Sequence, residues 1–393
     1  MRWCLPFTAS FIRNQIVHHQ QYEPAVVYLQ KSEGGFLREL SEKYPTFCPF
    51  TNGFDRLIYE KARLLSPRAK SSLARFIEDF QPGLLHLHYG VDTLVYAGIL
   101  STLDIPVCVS FYGYDCTSFP NRFYGYGRKL LKKHVFDNPG IDLYLAMTED
   151  MKKDLIRLGC PEDKIIVHYY GTETKPFQME RSYQEGETVN LMIISSFQER
   201  KGHAFLIDAF AQLQKSTAKN VHLHIVGDGY LRRDIEQKIA ATGLNNITLH
   251  GPVQYGSEEH LAYFRMADIF VHPSVTPPED GEKEGIPGAI IEAMAAGLPV
   301  VSTYHAGIPY IIESGKTGIL VREYDTDGLK GALQSLVEHS AYRETLGRAG
   351  QEYATRHLDI TEKELELEHI YELMTKAPQR ANTALPAGSR TSD

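Results

Sequence analysis

The sequence predicts two Rossmann-like α/β domains, each a parallel sheet covered by helices. Three observations lead there. Short Val- and Ile-rich runs alternate with amphipathic helical patterns down most of the chain, the mark of βαβ units. The 393 residues hold too many such units for one compact sheet. Residues 171–189 (GTETKPFQMERSYQEGETV) are polar and aperiodic and lead into a fresh strand run, as an interdomain linker does.

In chain order, strands are expected at 84–89 (LLHLHY), 106–111 (PVCVSF), 143–147 (LYLAM) and 165–169 (IIVHY). After the linker come 189–195 (VNLMIIS), 221–226 (VHLHIV), 247–250, 269–272, 299–302 and 318–321. Helices are expected at 202–214 (GHAFLIDAFAQLQ), 230–241 and 289–296. Residues 361–374 (TEKELELEHIYELM) open with acids and carry Leu365, Leu367, Ile370, Leu373 and Met374, so a terminal helix is expected. Residues 377–393 have almost no apolar content and read as a disordered tail. The domains are therefore placed at 1–178 and 179–358, with a terminal helix over 359–376.

Composition narrows the function. With 43% hydrophobic and 23% charged residues, a disordered or fibrous chain is excluded. The net charge of −8 divides unevenly: +2 over residues 1–178 and −10 over the rest. Nucleic acid is not an expected partner of such a chain. The five cysteines all lie in the front half and form no C-x-x-C pair, which argues against a disulfide framework or a zinc ribbon. The start lacks the apolar core of a signal peptide, and no run approaches the ~18 apolar residues of a membrane span. A cytoplasmic location is expected.

The segment 284–297 (EGIPGAIIEAMAAG) carries the chemistry. Gly285, Pro287 and Gly288 make a loop that opens a helix, whose first free N–H groups attract phosphate or sugar oxygens. Glu284 precedes that helix and Glu292 lies about two turns inside, so both can face one cleft and grip hydroxyls. Bland readings suffice elsewhere. His86 and His88, like His222 and His224, share a strand face without a third metal ligand. Asp325-Thr326-Asp327 reads as a helix cap, and no metal site is expected.

Glu284 and Glu292, within EGIPGAIIEAMAAGLPVVST and followed by HAGIPYII, resemble the donor-site signature of family-four retaining glycosyltransferases. The likeness continues through SFQERKGHAFLIDAF, HIVGDGYLRRDIE and YFRMADIFVHPS, and in front through LHLHYG, SFYGYD and TASFIRNQI, as in exopolysaccharide-assembling members. It implies the GT-B fold, with the front domain for the acceptor and the back domain for a nucleotide sugar. It also implies a terminal helix crossing back onto the front domain, and no cofactor or essential metal. Carried over by residue, Glu284 contacts the transferred sugar beside Gly285, Ile286, Pro287 and Gly288, and Glu292 binds the ribose. Lys201 neutralises the departing diphosphate, and Gly227 lets the nucleotide approach. His88 lies near the reaction centre, with Ser10, His86 and Asp115 as acceptor-side candidates. Where the family places an arginine ahead of the lysine this chain has Ser196, leaving Arg200 as the candidate replacement. Tyr112 stands where a histidine is usual, and Ala9 where an acid is.

Arg122, Arg128, Lys129, Lys132 and Lys133, interleaved with Phe123, Tyr124 and Tyr126, read either as a solvated helix face or as a patch for peripheral contact with the inner membrane face. The expected activity is hexosyl transfer from a UDP- or GDP-sugar to a lipid-linked acceptor in cell-surface polysaccharide assembly. The alternatives are a small-molecule acceptor such as an aminocyclitol, a nucleotide-sugar epimerase of the same fold, and a non-catalytic sugar-nucleotide-binding subunit.

Overall fold

The strand runs of the back half form one six-stranded parallel sheet in the structure, a computed structural model that describes residues 3–4, 10–31, 36–183, 186–279 and 281–376. Its strands are β9 (Thr188–Ile194), β10 (Asn220–Val226), β11 (Ile247–Leu249), β12 (Ile269–His272), β13 (Val300–Thr303) and β14 (Ile319–Val321), in the order β11-β10-β9-β12-β13-β14. Side chains alternate across the pleat. Leu191 and Ile193 pack with Leu206, Phe210 and Leu333 on one side of the sheet. Met192 packs with Phe264, Ile290 and Ile291 on the other. Both faces are covered, which is why these strands read as continuous apolar runs.

The front domain has β5 (Leu85–His88), β6 (Val107–Ser110), β7 (Leu143–Ala146) and β8 (Ile165–Val167) in one parallel sheet, paired in chain order. Ahead of it lie β1 (Trp3–Cys4), β2 (Val26–Val27), β3 (Gln30–Lys31) and β4 (Thr46–Phe47), paired as β1–β3 and β2–β4. Two-residue strands show no periodicity, so the sequence does not announce these pairs. A cavity of about 490 Å³ opens beside the outer edge of β5, lined by Ile16, Val26, Phe76, Leu87, Tyr96 and Tyr371 among others.

Two crossings join the domains, and they pair with each other. Thr172 N–H donates to Leu358 O (3.0 Å), and Ile360 N–H donates to Thr172 O (2.9 Å). The buried Asp359 carboxylate accepts from the hydroxyl and N–H of Thr174 and from Thr361 N–H. After the second crossing, helix Ile360–Lys376 returns to the front domain, as the family resemblance implies. Leu367 and Tyr371 cover Cys108, Leu143 and Leu145 on one face of the front sheet. Glu368 Oε1 accepts the N–H groups of Gln20, Gln21 and Tyr22 at 2.6, 2.9 and 3.3 Å, closing the turn after helix Ser10–His18. Asp325 caps helix Thr326–Glu338 by accepting from Gly328 N–H (2.8 Å). None of the described helices is long and apolar enough to cross a membrane. Residues 377–393, read from sequence as a tail, lie outside the described residues.

Candidate active site

In the back sheet, strand order reverses between β9 and β12. Ligands of open parallel sheets bind beyond the carboxyl ends of the strands at such a reversal. Here the chain places Arg200 and Lys201 after β9, and His272 at the end of β12, beside Glu284. A short 3-10 turn, Glu199–Lys201, leads into Gly202, whose φ is +70°. A Cβ at Gly202 would stand 2.0 Å from Pro273 O, so only glycine lets the loop that carries Lys201 lie against the segment after β12. Gly227, at φ +141°, likewise leaves no room for a Cβ, which would meet Ser195 O at 2.0 Å.

Glu284 is the centre of a charged network. Its Oε1 lies 2.7 Å from Lys201 Nζ and 3.4 Å from Arg200 Nε, and its Oε2 lies 3.7 Å from His272 Nε2. Burial favours the neutral acid, yet Lys201, His272 and Arg200 outweigh it and hold the carboxyl well below the usual carboxylate range. The Glu284 main chain is fixed as well. Its N–H donates to His305 Nε2 (3.1 Å), and His305 Nδ1 lies 2.8 Å from Glu323 Oε1. Glu323 in turn accepts from Thr276 N–H (2.6 Å). Arg200 is also shared with Glu282, at 2.9 Å.

Pro287 is the N-cap of helix Gly288–Ala295, and Glu292 lies in its second turn. The Glu292 carboxyl is pushed up to about 8 by burial, with Tyr255 hydrogen bonding opposing and the charge of Glu173 adding. Glu292 Oε1 and Thr172 Oγ1 both lie 3.7 Å from the point where a Gly288 Cβ would be. The helix start thus faces the interdomain linker. Gly285 and Ile286 lie between the two glutamates, and Tyr170 of the front domain donates to Ile286 O (3.4 Å).

On the front side, His88 ends β5, buried, with Nδ1 2.6 Å from the Tyr112 hydroxyl. Burial lowers its pKa well below the ordinary value, so it is a neutral imidazole. Tyr112, which departs from the family pattern, is thus a direct partner of His88. His86 has Tyr371 at Nδ1 and Ser110 at Nε2 (2.7 Å), so both ring nitrogens are engaged away from Glu284. Asp115 is fully buried and accepts from the N–H groups of Gly90 (2.8 Å), Tyr112 (3.2 Å) and Gly113 (3.3 Å). Ser10 begins helix Ser10–His18, and its side chain lies outside the described residues.

The structure therefore gathers Glu284, Lys201 and Arg200 tightly, with Gly285, Ile286 and Gly288 leading on to Glu292. It does not bring His86 or Asp115 into the cleft as free side chains. Sequence reasoning missed His272, His305 and Glu323. His305 stands inside the quoted HAGIP run, and His272 inside VHPS, but single histidines carry no spacing signal.

Fold and site together place the molecule in the GT-B class of glycosyltransferases. Residues 188–339 match the family described as Glycosyl transferases group 1, and residues 34–175 match Glycosyltransferase Family 4. WcaL of Salmonella typhimurium, provisionally named a colanic acid biosynthesis glycosyltransferase, is 34% identical over 289 residues, covering 72% of this chain and 68% of WcaL. AmsK of Erwinia amylovora, an amylovoran biosynthesis glycosyltransferase, is 34% identical over 219 residues, covering 54% of this chain and 53% of AmsK. Among solved structures, Anabaena HepE in complex with UDP and glucose superposes with a TM-score of 0.74 at 19% identity, over 95% of this chain and 98% of HepE. The chain belongs to glycosyltransferase family 4.

Proposed function

We propose that the protein is a retaining glycosyltransferase that moves a hexosyl group from a UDP- or GDP-sugar to an acceptor hydroxyl, without an essential metal. The observation that carries the reading is the ionised, buried Glu284 held between Lys201 and Arg200 at the β9–β12 reversal, directly ahead of the loop 285–288. Glu284 would grip the hydroxyls of the transferred sugar, and Glu292 those of the ribose. Gly227 leaves the nucleotide room to approach. The acceptor oxygen bonds to the anomeric carbon while the bond from that carbon to the diphosphate breaks. The acceptor proton passes to the departing diphosphate on the same face, and Lys201, Arg200 and the loop amides hold the developing charge. Neutral His88, at the end of β5 and two residues ahead of the Gly90 N–H that Asp115 holds, would stand on the acceptor side of this centre, with Ser10 as a further acceptor-side candidate. Closure of the domains excludes water.

The roles for which these relatives are named, in colanic acid and amylovoran biosynthesis, support a place in cell-surface polysaccharide assembly. A lipid-linked acceptor suits the front domain's surface. Phe123 and Tyr124 adopt left-handed φ of 55° and 56°, and Phe123, Tyr124 and Tyr126 stand exposed among Arg122, Arg128, Lys129 and Lys133. Aromatic rings with flanking cations suit the headgroup layer of an anionic inner membrane face.

A screen of UDP- and GDP-sugars with extracted lipid-linked acceptors tests the reading, with product stereochemistry read by NMR. A retained anomeric configuration is expected, and transfer lost in Glu284→Ala. Normal transfer by a folded Glu284→Ala protein would overturn it. Isomerised donor without acceptor would point instead to an epimerase.

A further inference from the structure

Facing the Glu284 loop, aromatic side chains crowd the carboxyl ends of the front sheet. Tyr89 directly follows β5, Tyr112 stands two residues past β6, and Tyr170 follows β8. Phe11 joins them from the first turn of helix Ser10–His18. Ring centroids are 4.8 Å apart for Phe11 and Tyr112, and 4.8 Å for Tyr89 and Tyr112. Phe11 and Tyr170 stack at 4.9 Å and 21°. All four are half-buried, unlike the core aromatics behind them. The Tyr170 hydroxyl reaches Ile286 O, so the cluster abuts the donor loop itself. Burial pushes the Tyr89 hydroxyl up, with the charges of Asp115 and Asp92 adding to the shift and that of Arg200 in the back domain opposing it.

Two features exceed ordinary packing. Tyr89 has φ +71° and ψ 123°, a conformation costly for a bulky side chain and kept mainly where function needs it. Tyr112 cannot turn freely, because its hydroxyl is held at 2.6 Å by His88 and donates to Gln15 Oε1 at 3.3 Å. Asp115 then pins both supporting loops through Gly90, Tyr112 and Gly113. The Tyr112 hydroxyl and the backbone at Gly90, Tyr112 and Gly113 are thus held by hydrogen bonds within the front domain.

We propose that Phe11, Tyr89 and Tyr112 form a platform for a sugar ring of the acceptor, which packs the apolar C–H face of a pyranose and leaves its hydroxyls free to point at the donor. Aromatic rings offer large contact area at low entropy cost, and ligand sites in parallel sheets sit at these strand ends. The acceptor group is thus a saccharide. The inference rests on the glycosyltransferase reading above.

The test uses the full chain with saturating UDP. Methyl α-D-glucopyranoside, methyl α-D-mannopyranoside and methyl β-D-galactopyranoside serve as probes, read by saturation-transfer-difference NMR, with geranyl phosphate as the apolar comparison. Ring C–H saturation by at least one glycoside is expected, falling at least fivefold in Phe11→Ala and Tyr89→Ala and retained in Tyr89→Phe. UDP affinity by calorimetry should stay within twofold in these variants. No glycoside signal with UDP bound, signals unchanged in both alanine variants, or saturation of geranyl phosphate alone would overturn the platform. Failure of the wild type to bind either UDP or GDP would instead overturn the reading on which it rests.

Discussion

Glu284→Gln is expected to abolish transfer and, at the same time, to tighten the binding of free UDP. In the free protein Lys201 Nζ is 2.7 Å from Glu284 Oε1, and Arg200 Nε is 3.4 Å away, so the cations a diphosphate needs are already engaged. In the proposed function a complete donor would resolve the conflict, its sugar hydroxyls taking the carboxylate as its diphosphate takes the lysine. UDP alone lacks the transferred sugar whose hydroxyls would occupy Glu284. It must pull Lys201 from a carboxylate whose side chain is only 5% exposed. A hydrogen bond to a charged group contributes about 1.5–3 kcal/mol. Removing the competing charge should therefore release about 2 kcal/mol, or roughly 30-fold in Kd. Isothermal titration calorimetry of UDP against wild type and variant measures this directly, or GDP if the donor screen selects it. The variant leaves Lys201 without its anion, so its Tm should fall without nucleotide and recover when UDP is added. Unchanged or weaker UDP binding by folded Glu284→Gln would refute the idea that the pair guards the diphosphate site.

Lys201→Ala should weaken UDP binding about tenfold or more and lower stability by about 3 kcal/mol, since Glu284 stays buried without its nearest cation; calorimetry and urea melts check both. Gly202→Ala should cost at least about 1 kcal/mol from its left-handed backbone alone, and more because the new Cβ would meet Pro273 O at 2.0 Å, with loss of UDP binding as Lys201 is displaced. Stability should also follow pH on two limbs. Glu364 is pushed up to about 9 by burial, against an ordinary 4.5, so its contribution is present below pH 4.5 and is lost as pH rises toward 9. His86 and His168 are lowered to about 3 by burial, so theirs is present above pH 6.5 and lost on acidification. A stability maximum near pH 6.5 is expected, with a shallower alkaline limb in Glu364→Gln; identical alkaline limbs in the two proteins would dismiss Glu364 as its source.

What could be read from sequence followed the length of each signal. All ten strands expected from apolar runs are present, because strands buried on both faces leave no polar interruption. β1 to β4 escaped, since two residues cannot display a period. In the site, the Gly-Pro context around Glu284 and the ERKG stretch singled out two loops that the structure brings together, with Lys201 and Arg200 on the same carboxylate. The shell behind them was not legible. His305, Glu323 and Thr276 meet only because β13, β14 and the loop after β12 are neighbours, and no local pattern encodes that adjacency. The polarity of the front histidines was equally hidden. His86 and His88 share a strand face, yet one pairs with the terminal helix and the other with Tyr112.

The paired linkers make the back domain an insert within the front one. The chain leaves the front domain near Thr172 and re-enters it at Asp359, and Glu368 and Tyr371 then complete contacts with Gln20 and His86. During synthesis, the front domain must therefore wait for almost the entire chain before its last helix can dock, a long-range closure that slows folding. The same topology sets the rule for building chimeras. A back domain exchanged between relatives must be excised at both crossings, as a cassette, because a single cut at the linker would carry away the helix that finishes the front domain.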